Sequence, residues 1–88
     1  MKKITCNVYS DPGHAWAKVP KKVLKFLEIS GEISSYSYER GDFAYLEEDC
    51  DLSIFVNACK NKGVVYKFRE FYSDKSSKIR SYNSYKRV

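Results

Sequence analysis

The hydrophobic spacing of this chain changes along its length between the period of a strand and the period of a helix. Residues 3–9 alternate between apolar and polar side chains, as a half-buried strand does. Residues 52–59 place four apolar side chains at the spacing i, i+3, i+4, i+7. These four are Leu52, Phe55, Val56 and Cys59. That spacing is typical of an amphipathic helix, so strands and helices must pack on each other in one fold.

The sequence of residues 10–32 predicts a turn, then a segment that is either a strand or a loop, and then a helix. Residues 10–13 have turn chemistry, and Gly13 can adopt a positive φ there. Residues 14–19 are either a second strand, paired with the first, or a loop. Pro20 suits the first turn of a helix, which we expect to end at residues 30–32.

The second half predicts a hairpin, the helix already described and a final strand. Alternating residues on both sides of the turn at 40–42 are typical of a β-hairpin. Gly63 follows the second helix, where a glycine commonly ends one. Residues 64–72 alternate again and predict the last strand.

These elements predict one α+β domain in the order β(β)αββαβ, since 88 residues support a single core. We expect a two-layer sandwich, with an antiparallel or mixed sheet of four to five strands and two helices on one face. A ferredoxin-like arrangement is the alternative if residues 14–19 form a loop. The compact domain is predicted for residues 1–72, and residues 73–88 are predicted to be a basic, tyrosine-containing C-terminal extension.

Several classes of protein are excluded by composition. A hydrophobic content of 43% argues against disorder, and no apolar run is long enough for a transmembrane helix. The N-terminus lacks the apolar segment of a signal peptide, so we expect a cytoplasmic protein with no membrane contact. The three cysteines are unsuitably spaced for disulfides or zinc. We expect Cys6 and Cys59 to be buried, and the acidic neighbours of Cys50 to disfavour its thiolate.

The charge is segregated along the chain, although the net charge is +5. Residues 32–59 carry −6, whereas residues 1–31 carry +4 and residues 60–88 carry +7. The sequence therefore predicts two surfaces of opposite sign.

Four carboxylates lie within residues 47–51. A calcium loop beginning at Asp49 would need glycine at its sixth position and glutamate at its twelfth, which hold Ile54 and Lys60. We therefore expect no metal and no cofactor. Asp49 or Asp51 can cap the second helix, which explains one or two of the carboxylates. An acidic docking patch for a basic partner is the second interpretation.

Aromatic side chains near this segment would anchor such a partner. The predicted partner-binding residues are Glu47, Glu48, Asp49, Asp51, Tyr36, Tyr38, Tyr45 and Trp16.

Two other kinds of binding site are also predicted. A nucleotide-like small ligand could be sequestered at the first turn by Tyr9, Asp11 and His14, although Asp11 can equally hydrogen-bond the turn's backbone. Basic residues interleaved with tyrosines suit nucleic acid. The residues of this alternative, on the N-terminal helix and the extension, are Lys21, Lys22, Lys25, Lys78, Arg80, Lys86 and Arg87. The sequence contains no nucleophile elbow, phosphate loop or other catalytic motif, so we expect a protein that is not an enzyme.

Four segments, in the order YSDPGHAW, ISSYSYERG, AYLEEDCD and IRSYNSY, resemble a group of small uncharacterised proteins of bacteriophages and related mobile elements. The similarity spans nearly the whole chain, with Ala15 where many relatives have glycine. The group has no assigned activity, so no functional residue is carried over. The resemblance implies a viral accessory protein in the cytoplasm of a bacterial host, and small phage proteins of this type often block host defence or regulation. The leading expectation is thus a non-enzymatic binding module that inhibits or modulates a host protein, with nucleic-acid binding and ligand sequestration as alternatives.

Overall fold

The computed structural model describes residues 3–87, in which strands and helices form an α+β fold. Six strands form one mixed sheet, and two helices and a short 3-10 turn accompany it. The strands are β1 (Lys3–Ser10), β2 (Ala15–Pro20), β3 (Tyr38–Arg40), β4 (Phe43–Glu47), β5 (Val65–Tyr72) and β6 (Asn83–Ser84). The helices are α1 (Lys21–Phe26) and α2 (Leu52–Asn61), and the 3-10 turn is Lys78–Ser81.

The strand order across the sheet is β5-β1-β2-β4-β3-β6. β5 lies parallel to β1 at one edge, and every other neighbouring pair is antiparallel. The prediction of four to five strands is therefore too low. The segment predicted to be either a strand or a loop forms strand β2, because a tight turn brings Ala15 opposite Ser10. The C-terminal extension adds a sixth strand, β6, beside β3. The ferredoxin-like alternative required a loop at residues 14–19 and is wrong.

The hydrophobic core lies between one face of the sheet and both helices. Alternate residues of β1, including Cys6 and Val8, face this core together with Leu24 of α1 and Phe55 of α2. Leu24 and Phe55 are completely buried. Burial of a side chain of this size contributes about 1.5–3 kcal/mol. The sequence periodicity of β1 and α2 therefore predicted their buried faces correctly.

The opposite face of the sheet, which we call the open face, carries the alternate strand positions. Its strand residues are Lys3, Thr5, Asn7, Tyr9, Trp16, Lys18, Pro20, Tyr38, Arg40, Phe43, Tyr45, Glu47, Val65, Lys67, Arg69, Phe71 and Ser84. The 3-10 turn covers the part formed by β2 and β4, where Ile79 packs against Trp16 and Tyr45. The part formed by β1 and β5 remains uncovered, and Phe71 is 46% exposed there.

Both helices end in the same hydrogen-bonding motif. In α2, the Val64 N–H donates to the Cys59 carbonyl, and Gly63 adopts a φ of 68°. In α1, the Ile29 N–H donates to the Leu24 carbonyl, and the left-handed position is held by Glu28 with a φ of 62°. The prediction for Gly63 is confirmed. The first helix ends at Phe26, before the predicted stop at residues 30–32, because this motif closes it early.

Gly13 does not adopt the positive φ that is open to a glycine, whereas Gly41 and Gly63 do. A Cβ atom at Gly13 would lie 2.8 Å from Nη2 of Arg80, so a larger residue there would have to shift this guanidinium, which binds Asp11.

Candidate functional site

Five of the eight predicted partner-binding residues line one cavity, namely Trp16, Tyr36, Tyr38, Glu47 and Asp49, whereas Glu48, Asp51 and Tyr45 are not part of its lining. Glu47, Asp51, Trp16 and Tyr45 are buried. The exposed or half-exposed members are Glu48, Asp49, Tyr36 and Tyr38. In this conformation the acidic segment therefore offers a partner two of its four carboxylates.

Asp51 is buried because its carboxylate binds the loop before β3. It accepts hydrogen bonds from the backbone N–H and hydroxyl of Ser34 and from the hydroxyl of Ser37. Asp51 occupies the N-cap position of α2 but makes no side-chain capping bond there. The predicted capping role is therefore wrong for Asp51, whose carboxylate joins two parts of the chain.

Glu47 is buried because its carboxylate closes the turn that leads into α2. Its Oε2 accepts hydrogen bonds from the N–H groups of Asp49, at 2.9 Å, and Cys50, at 3.1 Å. Its Oε1 lies 3.3 Å from Nδ1 of His14. Two of the four carboxylates in residues 47–51, those of Glu47 and Asp51, therefore have structural roles.

Asp11 is the centre of a second polar network. Its carboxylate accepts hydrogen bonds from the N–H groups of Gly13, His14 and Ser77, and from Nε and Nη2 of Arg80 at 2.7 and 2.9 Å. The Arg80 guanidinium holds the pKa of this carboxyl well below its usual range. The prediction that Asp11 bonds the backbone of its turn is confirmed, and its oxygens are fully used within the chain.

The three residues predicted to bind a small ligand are not brought into one cavity. Tyr9 lines one cavity of the open face, and His14 lines another. The His14 cavity measures about 330 Å³. It is lined by His14, Trp16, Tyr36, Tyr38, Glu47, Asp49, Cys50 and Arg80.

His14, Glu47 and Asp49 place potential metal-ligand atoms within 4.8 Å of one another. Imidazole and carboxylate are suitable ligands for a divalent cation. Glu47 already accepts two backbone hydrogen bonds, however, and the Arg80 guanidinium lines the same cavity. A cation would therefore compete with an existing network and be repelled by a neighbouring positive charge.

The Tyr9 cavity, which we call the cationic pocket, is also about 330 Å³. It is lined by Tyr9, Lys18, Arg40, Tyr45, Ser77, Lys78, Ile79 and Tyr82. Lys18 Nζ lies 4.2 Å from the centre of the Phe43 ring, and Arg40 Cζ lies 5.1 Å from that of Tyr82. Within residues 3–87, no carboxylate forms an ion pair with Lys18, Arg40 or Lys78. The pocket therefore combines three cations and three tyrosines without a carboxylate in its lining.

A third cavity, of about 510 Å³, lies beside α1 and collects part of the predicted nucleic-acid set. Lys21, Lys22 and Lys25 of α1 meet Lys86 of the extension there, and Glu39 pairs with Lys21 at 3.6 Å. The remaining members are separated from this group. Lys78 lines the cationic pocket, Arg80 binds Asp11, and Nε of Arg87 donates to the Ile33 carbonyl.

Five basic and aromatic residues of the open face were missed as site residues, namely Lys18, Arg40, Lys67, Arg69 and Phe71. Tyr9 and Phe71 stack with ring centres 5.6 Å apart, and Lys67 and Arg69 lie on the same strand and face as Phe71. The alternation of residues 64–72 could have placed these two cations on one face. It could not reveal that Tyr9 lies opposite Phe71, because that depends on the pairing of β1 with β5.

Cys6 and Cys59 are buried, as predicted, and Cys50 is exposed. Burial raises the pKa of the Cys6 thiol to about 11, with a further contribution from Cys59. Partial desolvation and the Glu47 carboxylate raise the pKa of the Cys50 thiol. Burial also raises the pKa of the Cys59 thiol, so all three thiols are weak nucleophiles at neutral pH.

No family model, curated protein or solved structure matches this chain. None of the helices described for residues 3–87 is long and apolar enough to cross a membrane.

Proposed function

We propose that this protein is a non-enzymatic module that binds single-stranded nucleic acid on the open face. The observation that carries this proposal is the charge of that face. Within residues 3–87, its strand positions contribute one carboxylate, Glu47, and five cations. The cations are Lys3, Lys18, Arg40, Lys67 and Arg69.

The distribution of acids supports a polyanionic ligand. Glu47 lies on β4, separated from β5 by β2 and β1, and its carboxylate contacts His14 and the N–H groups of its own turn. Glu39 and Glu70 alternate with the open-face positions of their strands and point away from that face. Cations grouped in this way bind phosphates and release counterions from nucleic acid.

The aromatic residues favour a single strand. Phe71 and its stacked neighbour Tyr9 provide an exposed π surface beside Lys67 and Arg69. Stacking of an unpaired base on such a surface contributes about 1–3 kcal/mol. The bases of a duplex are already stacked on each other, so a duplex would use the cations alone.

Two charge-reversal variants test this function. Their affinities for labelled oligonucleotides of 15 nucleotides, single-stranded and duplex, are measured by fluorescence anisotropy. Arg69→Glu should weaken single-strand binding about tenfold, because it replaces a phosphate contact with repulsion. Lys60→Glu makes the same charge change at an exposed position of α2, away from the open face, and should have little effect.

The salt dependence provides a second readout of the same proposal. Single-strand binding should weaken on the order of tenfold between 50 and 200 mM salt if three or more phosphates are neutralised. Equal losses in the two variants, or binding that is independent of salt, would contradict the proposal. Tighter binding of the duplex would contradict the role assigned to Tyr9 and Phe71.

A second candidate function is the inhibition or modulation of a host protein, and one observation favours it. Tyr36 is 71% exposed and lines the same cavity as Asp49, so an aromatic anchor lies beside an acidic group. Capture of one protein from nuclease-treated bacterial lysate should be lost in Tyr36→Ala. It should persist in Tyr72→Ala, which removes a tyrosine of similar exposure (69%) from β5. Equal capture by both variants would exclude Tyr36 as the anchor.

A further inference from the structure

The cationic pocket lies where the uncovered part of the open face meets the 3-10 turn. We propose that this pocket binds the terminal phosphate of the nucleic-acid strand, an inference that rests on the proposed function. A strand that lies across β5 and β1 reaches Tyr9 first and then the pocket. The protein would in this way recognise an end of the strand as well as its backbone.

The C-terminal extension forms one wall of the pocket, because Ile79 and Tyr82 cover Tyr45 of β4. Ser77 and Ile79 form part of its lining, and Ile79 is buried against Trp16 and Tyr45. This wall is held in place by Asp11, which accepts hydrogen bonds from the Ser77 N–H and from Arg80. A continuous strand would have to displace this wall to proceed across β4, whereas a strand end would not.

The charge of the pocket matches a phosphate monoester. Lys18, Arg40 and Lys78 surround one cavity, and none has a carboxylate ion-pair partner within residues 3–87. Three like charges around one cavity repel each other until an anion is bound. A terminal phosphate carries a charge of about −1.5 to −2 and three acceptor oxygens, compared with about −1 for an internal phosphodiester. The pocket should therefore favour the terminal group.

Two of the tyrosines, Tyr9 and Tyr82, are half-buried and can contact the nucleoside attached to that phosphate. Tyr45 is buried beneath Tyr82, with the centres of the two rings 5.1 Å apart. The volume of about 330 Å³ is near the lower end of the range for ligand pockets, about 300–1,000 Å³. It suits one nucleotide rather than several.

The experiment compares three internally labelled oligonucleotides of one sequence, with a 5′-phosphate, a 3′-phosphate or hydroxyl groups at both ends. One phosphorylated form should bind about fivefold more tightly than the hydroxyl form, and the end that gains identifies the polarity of the strand. Lys78→Gln should abolish this gain while the hydroxyl form binds nearly as before. Lys75→Gln, at an exposed lysine outside the pocket, is the matched control and should retain the gain.

The outcomes separate this inference from the proposed function. Equal binding of all three oligonucleotides would overturn the end-recognition site and leave single-strand binding intact. A gain that survives both Lys78→Gln and Arg40→Gln would place the phosphate elsewhere and also overturn it. Absence of binding to every oligonucleotide would overturn the proposed function, and the inference with it.

Discussion

At the residue scale, Asp11 joins two distant parts of the chain. One carboxylate orders the turn between β1 and β2 and binds Ser77 and Arg80 of the extension. A turn with Asp and Pro predicts the local bonds. The partners 66 and 69 residues farther along cannot be found from local pattern, because they become neighbours only when the extension crosses the sheet.

The effect of Asp11 on stability should depend on pH. Its pKa is lower in the folded protein than in the unfolded chain, so its contribution is present above a pH of about 4 and is lost as the pH falls toward the folded-state pKa. Asp11→Asn should therefore lower Tm at pH 7, and the difference from the wild-type protein should shrink below about pH 4. Thermal unfolding followed by circular dichroism between pH 2.5 and 7 measures this. Asp74→Asn, at an exposed position, is the control, and a difference in Tm that does not vary with pH would contradict the assignment.

At the element scale, the two helices share one C-terminal motif but differ in the residue at its left-handed position. Gly63 ends α2 at a φ of 68°, and Glu28 ends α1 at a φ of 62°. A side chain is disfavoured in this conformation by roughly 1–2 kcal/mol, whereas glycine adopts it freely. The sequence marks the end of α2 with its glycine and gives no such mark for α1, which is why the predicted end of α1 was too late.

Matched substitutions should change stability in opposite directions. Glu28→Gly should raise the free energy of unfolding by about 1 kcal/mol because it relieves the left-handed side chain, and its exposed ion pair with Lys62 contributes little. Gly63→Ala should lower the free energy of unfolding by about 1 kcal/mol for the converse reason. Urea denaturation of both variants measures these changes. A loss of stability in Glu28→Gly would show that backbone strain at this position is not the dominant effect.

At the scale of the whole molecule, the charge segregation of the sequence is redistributed by the fold. The acidic segment becomes partly structural, because Glu47 and Asp51 are buried, while cations from several strands gather on the open face. The extension predicted from residue 73 onward packs against the sheet, where Ile79 and Tyr85 are buried in different hydrophobic clusters. Removing residues 73–88 would therefore disturb folding as well as binding. The single charge reversals described above separate the two effects.

The sequence alone predicted much of the fold but less of the candidate site. Alternation in residues 3–9 and 64–72 and the helical spacing in 52–59 identified β1, β5 and α2, because backbone geometry imposes those periods on neighbouring residues. The site depends on residues from several elements, and their proximity is not encoded in local spacing. Lys18, Arg40 and Lys78, for example, reach one pocket from β2, β3 and the 3-10 turn.

Local spacing thus determined which segments are strands or helices and which of their side chains alternate. The tertiary structure determined which other parts of the chain each face packs against. Parallel pairing of β5 with β1 places Phe71 against Tyr9, and the returning extension forms one wall of the cationic pocket. The tertiary structure also determined that Glu47 and Asp51 are buried, because buried carboxylates require hydrogen-bond donors that distant residues supply. The physical reason is the range of the interactions, since periodicity arises between neighbours along the chain and a binding site arises between neighbours in space.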